Sequence, residues 1–428
     1  MTGLPPARLR ASRPRWSDLV DVRLDASVRE PLHRQLYRQV RDAILDGRAR
    51  PGSRLPGYRP LAAELGCSRI TTANAYELLK AEGYVEGRSG SGTYVAQVTP
   101  DRPLPASLAG DEGPPAAPAS IALSARGAAL EAGVPGWATQ GSGLLPGTPA
   151  ADEFPFEIWT RLFARHWRAP SRALLRNADP AGLPALRASI AEYLLDARGL
   201  RCTPEQVVVT SGSTNAMDLV ARLLLDPGDT VWIEDPGWRG VEGTFGAAGL
   251  RCVRVPVDAE GLSVAAGLAA APEARLALVT PSHQYPLGVV MSARRRLELV
   301  RWARARGAIV LEDDFDAEFR YAGRPLSTLY ALDAGARVVY AGTFSKICFL
   351  GLRLGYLVLP GDLAPRFARA RLDLDFQTAL PLQAAMADFL REGHLAAHVR
   401  RMRRRYAQRQ QVLRSAVDRH LGDLLEIG

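Results

Sequence analysis

The stretch GTFSKICFLGLRLGYLV, residues 342–358, sets a lysine between Ser345 and Ile347 just after an apolar run. That lysine stands out in this chain. Of 54 basic residues only two, Lys80 and Lys346, are lysine. A solvated cation is arginine almost everywhere else, so Lys346 supplies an amine where a guanidinium would not serve. Arginine stays protonated and does not readily form an imine. The preceding RVVYAG (337–342) reads as a strand, and LGYLVLP (354–360) as another. Lys346 therefore falls at or just beyond a strand's carboxyl end, where open α/β sheets bind ligands.

Working outward, further strands are expected at QVVVT (206–210), TVWIE (230–234), CVRVPV (252–257), RLALVT (275–280) and AIVLE (308–312). Long helical patterns such as MDLVARLLL and ARRRLELVRWARAR separate several of them. This alternation predicts an α/β domain built on a mainly parallel sheet. AIVLE runs into Asp313 and Asp314, bringing a carboxylate to the edge that carries Lys346. A structural ion pair is one reading of that juxtaposition. The other is a site for pyridoxal phosphate, which needs a lysine for its Schiff base, an acid to keep the pyridine nitrogen protonated, and a phosphate cradle. VVVT leads into SGST and a helix, so backbone N–H groups of Gly212, Ser213 and Thr214 are candidates for that cradle. Thr343 and Ser345 add hydroxyls and Arg353 a bidentate guanidinium. Trp238, in EDPGW, offers a face on which the ring stacks.

The N-terminal part reads differently. PLHRQLYRQVRDAILDG spaces Leu32, Leu36, Val40 and Ile44 four apart, an amphipathic helix closed by Gly47. RPLAAELG is a short second helix, and Ser68 caps a third, SRITTANAYELLKAEG, with Ala75, Leu78 and Leu79 inward. YVEGR and TYVA flank SGSG as a hairpin. The outline is a winged helix-turn-helix, whose second motif helix enters the major groove of double-stranded DNA. Ser68, Arg69, Thr71, Thr72 and Asn74 are candidates at its start, with Tyr76 further along. Arg59 opens the preceding helix, and Arg88, Ser89 and Gly90 form the wing tip. Residues 1–96 hold 16 basic against 10 acidic side chains, +6 of the chain's +9, in keeping with an anionic partner.

Domain limits follow from composition: 27–96 for the winged helix, 97–139 for a Pro/Ala/Gly-rich linker, and 140–428 for the cofactor domain. With 47% hydrophobic residues the chain has enough apolar surface for cores. Its four cysteines, at 67, 202, 252 and 348, lack disulfide or metal spacing. The start lacks the apolar centre of a secretory signal, and no apolar run approaches membrane-spanning length. A cytoplasmic protein without a metal site or membrane contact is expected. The arginine run 400–405 reads as a solvated helix face.

Residues 30–96 resemble the winged-helix domain of the GntR family through PLHRQL, GRARPGSRLP, RPLAAELGCSR and AYELLKAEGYVEGRSGSGTYV. They depart from it at Gly57-Tyr58 and at Ile70. From about residue 140, SGSTNAMDLVARLLLDPGDTVWIEDPGW, VTPSHQYPLGVVMSARRRLELVRWA and EDDFDAEFRYAGRPLSTL resemble fold-type-I aminotransferases, as does the opening stretch. The combination resembles the MocR/GabR subfamily of GntR regulators. The resemblance implies that Lys346 forms the Schiff base, Asp313 pairs the pyridinium, Trp238 stacks, and Thr343, Ser345 and Arg353 take the phosphate. It further implies a homodimer, often head-to-tail, that senses pyridoxal phosphate or an amino compound bound to it. Three departures bear on this. Phe315 stands where a tyrosine is usual, with His283 or Tyr285 as candidates to compensate. Leu350 replaces a proline. The chain stops at LLEIG, where the family continues to a carboxylate-gripping arginine, so an incomplete effector pocket is expected. Regulation is expected over turnover. A working aminotransferase with an accessory DNA-binding domain, and a DNA-binding regulator with a truncated, non-functional cofactor domain, are the alternatives.

Overall fold

The computed structural model describes residues 22–88, 91–97, 122–132, 147–170, 172–176, 179–320 and 327–422, with Trp16, Val20 and Leu424 besides. The chain divides into two compact units, Met1–Ser120 and Ile121–Gly428.

In the first unit, α1 (Leu32–Leu45) packs on α3 (Arg69–Ala81), and the short α2 (Tyr58–Glu64) packs on α3 as well. The spacing of α1 explains the packing: Leu36, Val40 and Ile44 are buried on one stripe and meet Leu61, Ala75 and Leu79. Gly66, at φ +64, makes the left-handed step that ends α2. Ser68 then caps α3, its Oγ accepting from the Thr71 N–H at 3.0 Å. β1 (Val85–Arg88) and β2 (Gly92–Val95) pair antiparallel, Val85 opposite Val95 and Arg88 opposite Gly92. Leu78 is half-buried, so the inward stripe of α3 runs through Thr72, Ala75, Tyr76 and Leu79.

The second unit is built on an eight-stranded sheet in the order β3-β10-β9-β8-β7-β4-β5-β6. Its strands are β3 (Val207–Thr210), β4 (Thr230–Asp235), β5 (Arg251–Asp258), β6 (Gly261–Leu262), β7 (Leu276–Val279), β8 (Ile309–Asp314), β9 (Val338–Thr343) and β10 (Gly355–Val358). The ladders β5-β4-β7-β8-β9 are parallel, and β10 runs antiparallel to both β9 and β3. The central strands are buried along most of their length because helices cover both faces, and β7 is apolar throughout. In β3, Val207 and Val209 join one core and Val208 the other. β8 runs two residues beyond its apolar stretch, with Asp313 opposite Ala341 and Asp314 opposite Gly342. Ladder hydrogen bonds thus override the sequence's break at Glu312. The span 97–139 is not linker throughout: it contains a helix, Ala125–Ala132. Leu130 packs there, its Cδ2 3.7 Å from where a Cβ would stand on Gly243.

The carboxyl ends of β3, β4, β7, β8 and β9 share one edge of the sheet. α4 (Pro184–Arg198), α5 (Ser213–Leu224), α6 (Ala293–Arg306) and α7 (Ala364–Leu374) pack on the sheet, and α8 (Leu380–Arg391) packs on α4 and on α9 (His394–Leu421). Among the described residues no helix is long and apolar enough to cross a membrane, and no His/Cys/Asp/Glu cluster has the makings of a metal site.

Candidate functional site

A cavity of about 390 Å³ opens at that edge. Lys346 follows β9, Asp313 is the last residue but one of β8, and Ser213 and Thr214 begin α5 after β3. Thr343, Ser345 and Arg353 complete one wall, while Trp238, Tyr285 and Phe315 supply aromatic surface. Gly147, Thr148, Thr280 and Leu350 also line it. Gly147, Thr148 and Thr280 escaped the sequence reading because a small residue in a loop carries no chemical signature of its own.

Lys346 Nζ donates to the carbonyl of Gly147 at 2.8 Å. Gly147 sits at φ +69, and a Cβ there would lie 3.3 Å from Nζ, so a glycine permits the close approach. Burial lowers the pKa of the Lys346 amine, and the carboxylates of Asp316 and Asp313 partly offset this. Asp313 is pushed up to about 7, first by burial and then by Asp314, Glu234 and Asp316, with Lys346 opposing. Its Oδ1 is buried without a hydrogen-bond partner, and so is Ser345 Oγ. Asp314 also has an unpartnered Oδ1, but its Oδ2 accepts from Arg198 Nε at 2.7 Å and Tyr340 Oη at 2.6 Å, and it does not line the cavity. That leaves Asp313 as the carboxylate facing the cavity.

The start of α5 and Arg353 form the candidate anion cradle. Gly212 caps α5 at φ +93 and ψ 177, a region closed to other residues. The Arg353 guanidinium packs on its bare face, Cζ standing 3.4 Å from the position a Cβ would take. The first N–H groups of α5 lack intrahelical acceptors and carry the positive end of the helix dipole. Thr343 is committed to the loop: its Oγ1 accepts from the Ser345 N–H at 3.2 Å and donates to the Leu354 carbonyl at 3.4 Å. Trp238 is held above Gly240, where a Cβ would meet its ring at 2.3 Å.

His283 is a correction. It does not line this cavity. Its Nδ1 meets Asp316 Oδ2 at 2.8 Å, its ring stacks on Phe315 at 6.1 Å, and it borders a separate space of about 230 Å³ with Arg198 and Arg296. The Asp316 hydrogen bond raises its pKa and fixes the ring there. Tyr285 does line the cavity, edge-on to Phe315 at 6.5 Å.

In the first unit, α3 exposes Arg69, Ile70 and Asn74, and α2 exposes Arg59. Ile70 is 71% exposed and so plays no part in the core. Ser68 Oγ and Thr71 Oγ1 lie 2.9 Å apart beside the cap. Two candidates are corrected. Thr72 is fully buried, its hydroxyl 3.6 Å from Cys67 Sγ. Tyr76 is buried against Tyr58 and donates to the Pro56 carbonyl at 3.0 Å. Both fall on the inward stripe of α3, which packing reserves for the core. Arg88 is exposed on the wing, paired with Glu86 at 2.9 Å and lying over Tyr94 at 4.6 Å. Gly90, like Ser89, lies outside the described residues.

A parallel α/β edge with a lysine, a buried acid and a helix-start cradle, carried with a winged helix-turn-helix, defines a DNA-binding protein with an aminotransferase-type domain. Comparison with known proteins agrees. Residues 150–424 match the family aminotransferase class I and II, and residues 32–95 match bacterial regulatory proteins of the gntR family. The probable rhizopine catabolism regulatory protein MocR of Rhizobium meliloti is 42% identical over 94% of this chain and 80% of its own length. The pyridoxine biosynthesis regulator PdxR of Corynebacterium glutamicum is 34% identical over 95% and 83%. Among solved structures, LysN of Thermus thermophilus, an α-aminoadipate aminotransferase complexed with N-(5'-phosphopyridoxyl)-L-leucine, matches at TM-score 0.58 and 31% identity over 66% of this chain and 75% of its own. Pyrococcus horikoshii kynurenine aminotransferase matches at 0.59 and 27% over 68% and 77%. The chain belongs to the MocR-like branch of the GntR family, transcriptional regulators that carry an aminotransferase class I and II domain.

Proposed function

We propose that this regulator binds operator DNA through its winged helix and adjusts that binding to pyridoxal phosphate, or to an amino compound joined to it, held at Lys346. The observation that carries the reading is the Asp313 carboxylate, buried without a partner for Oδ1 in the cavity that contains the Lys346 amine. A buried unpaired acceptor is costly, and a protonated ring nitrogen supplies the donor it lacks. Ser345 Oγ, likewise unpartnered, fits a phosphate oxygen together with Arg353 and the N–H groups of Ser213 and Thr214. Trp238 and Tyr285 enclose the ring. The bound group supplies an electrophilic carbon for amines and an electron sink.

The chain's own residues do the rest. Lys346, with its lowered pKa, offers a neutral amine nearer neutral pH than an exposed lysine does. Asp313 stays ionised once a cation sits beside it. Phe315 brings no phenol to the cavity, which leaves Tyr285, edge-on to it, as the phenol nearest the ring. DNA affinity then changes by the difference in ligand binding between the two domain arrangements. Arg69, Asn74, Arg59 and Arg88 are the exposed polar contacts for DNA, with Ser68 and Thr71 donating to phosphates. The working form is a homodimer, whose two winged helices read two half-sites, in the cytoplasm beside the DNA.

The test is a visible spectrum of the purified protein with added pyridoxal phosphate, for wild type and Lys346→Ala. A new absorbance band in wild type alone is expected. No band in either would sink the reading.

A further inference from the structure

The cradle turn is held from behind by side chains that have no part in the site above. The Ser211 N–H donates to Asn215 Oδ1 at 3.0 Å, and Asn215 Nδ2 donates to Asp375 Oδ2 at 3.0 Å. Asp375 also accepts a bidentate pair from Arg371, Nε at 2.8 Å and Nη2 at 3.0 Å. Arg371 is fully buried at 0% exposure. Its Nη1 donates to the carbonyl of Pro180 at 2.9 Å and to that of Val209 on β3. One guanidinium thus grips the strand that enters the turn and, through Asp375 and Asn215, the turn itself.

We infer that Arg371, Asp375 and Asn215 are positioning residues for the phosphate cradle. They lock the Ser211-Gly212 turn so that the N–H groups opening α5 point into the cavity before an anion arrives. Packing alone does not call for this arrangement. An apolar residue often fills a buried site as favourably as an ion pair, and the bonds of Arg371 to β3 and to Asp375 tie together the two sides of the turn, in keeping with a role in orientation. The Gly212 conformation, at φ +93, is one that a free turn seldom visits. Ordering it in advance removes an ordering cost from phosphate binding.

The inference rests on the cofactor reading, and its test separates the two. Full-length wild type, Asn215→Ala and Asp375→Asn are titrated with pyridoxal phosphate and with pyridoxal, the same aldehyde without phosphate, following visible absorbance. Pyridoxal phosphate affinity should fall about tenfold in both variants, Asn215→Ala losing its bonds to Ser211 and Asp375 and Asp375→Asn weakening those from Asn215 and Arg371, while pyridoxal uptake stays at the wild-type level. Inorganic phosphate should compete with pyridoxal phosphate for wild type and much less for the variants. Asn215→Ala decides the matter if Asp375→Asn fails to fold, because it leaves the Arg371–Asp375 pair intact. Unchanged pyridoxal phosphate affinity, or equal losses for both aldehydes, would overturn the inference. Wild type that takes up neither aldehyde would overturn the cofactor reading and the inference with it.

Discussion

Replacing Asp313 by asparagine should weaken cofactor binding while making the cofactor-free protein more stable. The two effects share one cause. In the free protein the carboxyl is pushed up to about 7 from an ordinary 3.8. A raised folded-state pKa means that its contribution is fully present below about pH 4 and is lost as pH climbs towards 7. A shift of that size corresponds to roughly 4 kcal/mol of cost for the ionised form above pH 7. Asparagine keeps the volume and removes the charge, but it still buries an amide, so roughly 2 kcal/mol should be recovered. With cofactor bound the sign reverses. The lost hydrogen bond between carboxylate and ring nitrogen is a charged one, worth roughly 1.5–3 kcal/mol, or about ten- to a hundredfold in affinity. The assay is thermal melting of both cofactor-free proteins at acid and at mildly alkaline pH, followed by cofactor titration. The variant should melt higher at alkaline pH and lose part of the wild-type fall in stability between the two. Glu312 and Glu318, also raised to about 7 by burial, keep the remainder. A variant with wild-type affinity and an unchanged pH trend would refute the pairing of Asp313 with the ring.

Further outcomes follow from the same geometry. Asp316 is the largest charge holding up the depressed pKa of Lys346, so Asp316→Asn should move the midpoint of the cofactor-attachment rate to lower pH; an unmoved pH profile counts against that contact. Arg69→Ala should weaken operator binding by roughly 1–3 kcal/mol in a fluorescence anisotropy titration, with a shallower salt dependence if the contact is to phosphate. Tyr76→Phe removes the bond to the Pro56 carbonyl and should cost about 1 kcal/mol of stability with operator affinity unchanged, a contrast that checks its place in the core. Gly240→Ala forces a Cβ into the Trp238 ring and should lower cofactor affinity several-fold, whereas equal affinity would show that the indole moves freely.

The parts of this protein that were legible from sequence are those where chemistry and position coincide. Lys346 was conspicuous because the chain avoids lysine, and Asp313 because an acid closes an apolar strand. The strands and the α1 to α3 stripe were readable because burial on both faces, or on one, leaves a clear apolar pattern. What escaped has a physical reason in each case. Thr72 and Tyr76 carry polar groups that look like DNA contacts, yet the helical phase set by Ala75 and Leu79 turns them inward. His283 lies between the cavity residues Thr280 and Tyr285 in sequence, but Asp316 draws its ring into the neighbouring space. Gly147 sits about 200 residues from Lys346, and no local pattern announces a carbonyl that a distant amine will use. The helix Ala125–Ala132 was hidden in a stretch whose composition reads as linker. The Arg371–Asp375–Asn215 chain is of the same kind: an arginine on a helix of an arginine-rich protein gives no sign that it is buried.

The central claim is that ligand chemistry at Lys346 alters DNA binding. It is met most directly by measuring the affinity of the full-length protein for the DNA upstream of its own gene, with and without pyridoxal phosphate, in wild type and in Lys346→Ala. The account predicts that cofactor shifts the wild-type affinity about five- to 150-fold, the usual range for coupled sites, and leaves the variant's affinity unmoved. An identical response in both proteins, or none in wild type that shows the absorbance band, would contradict it.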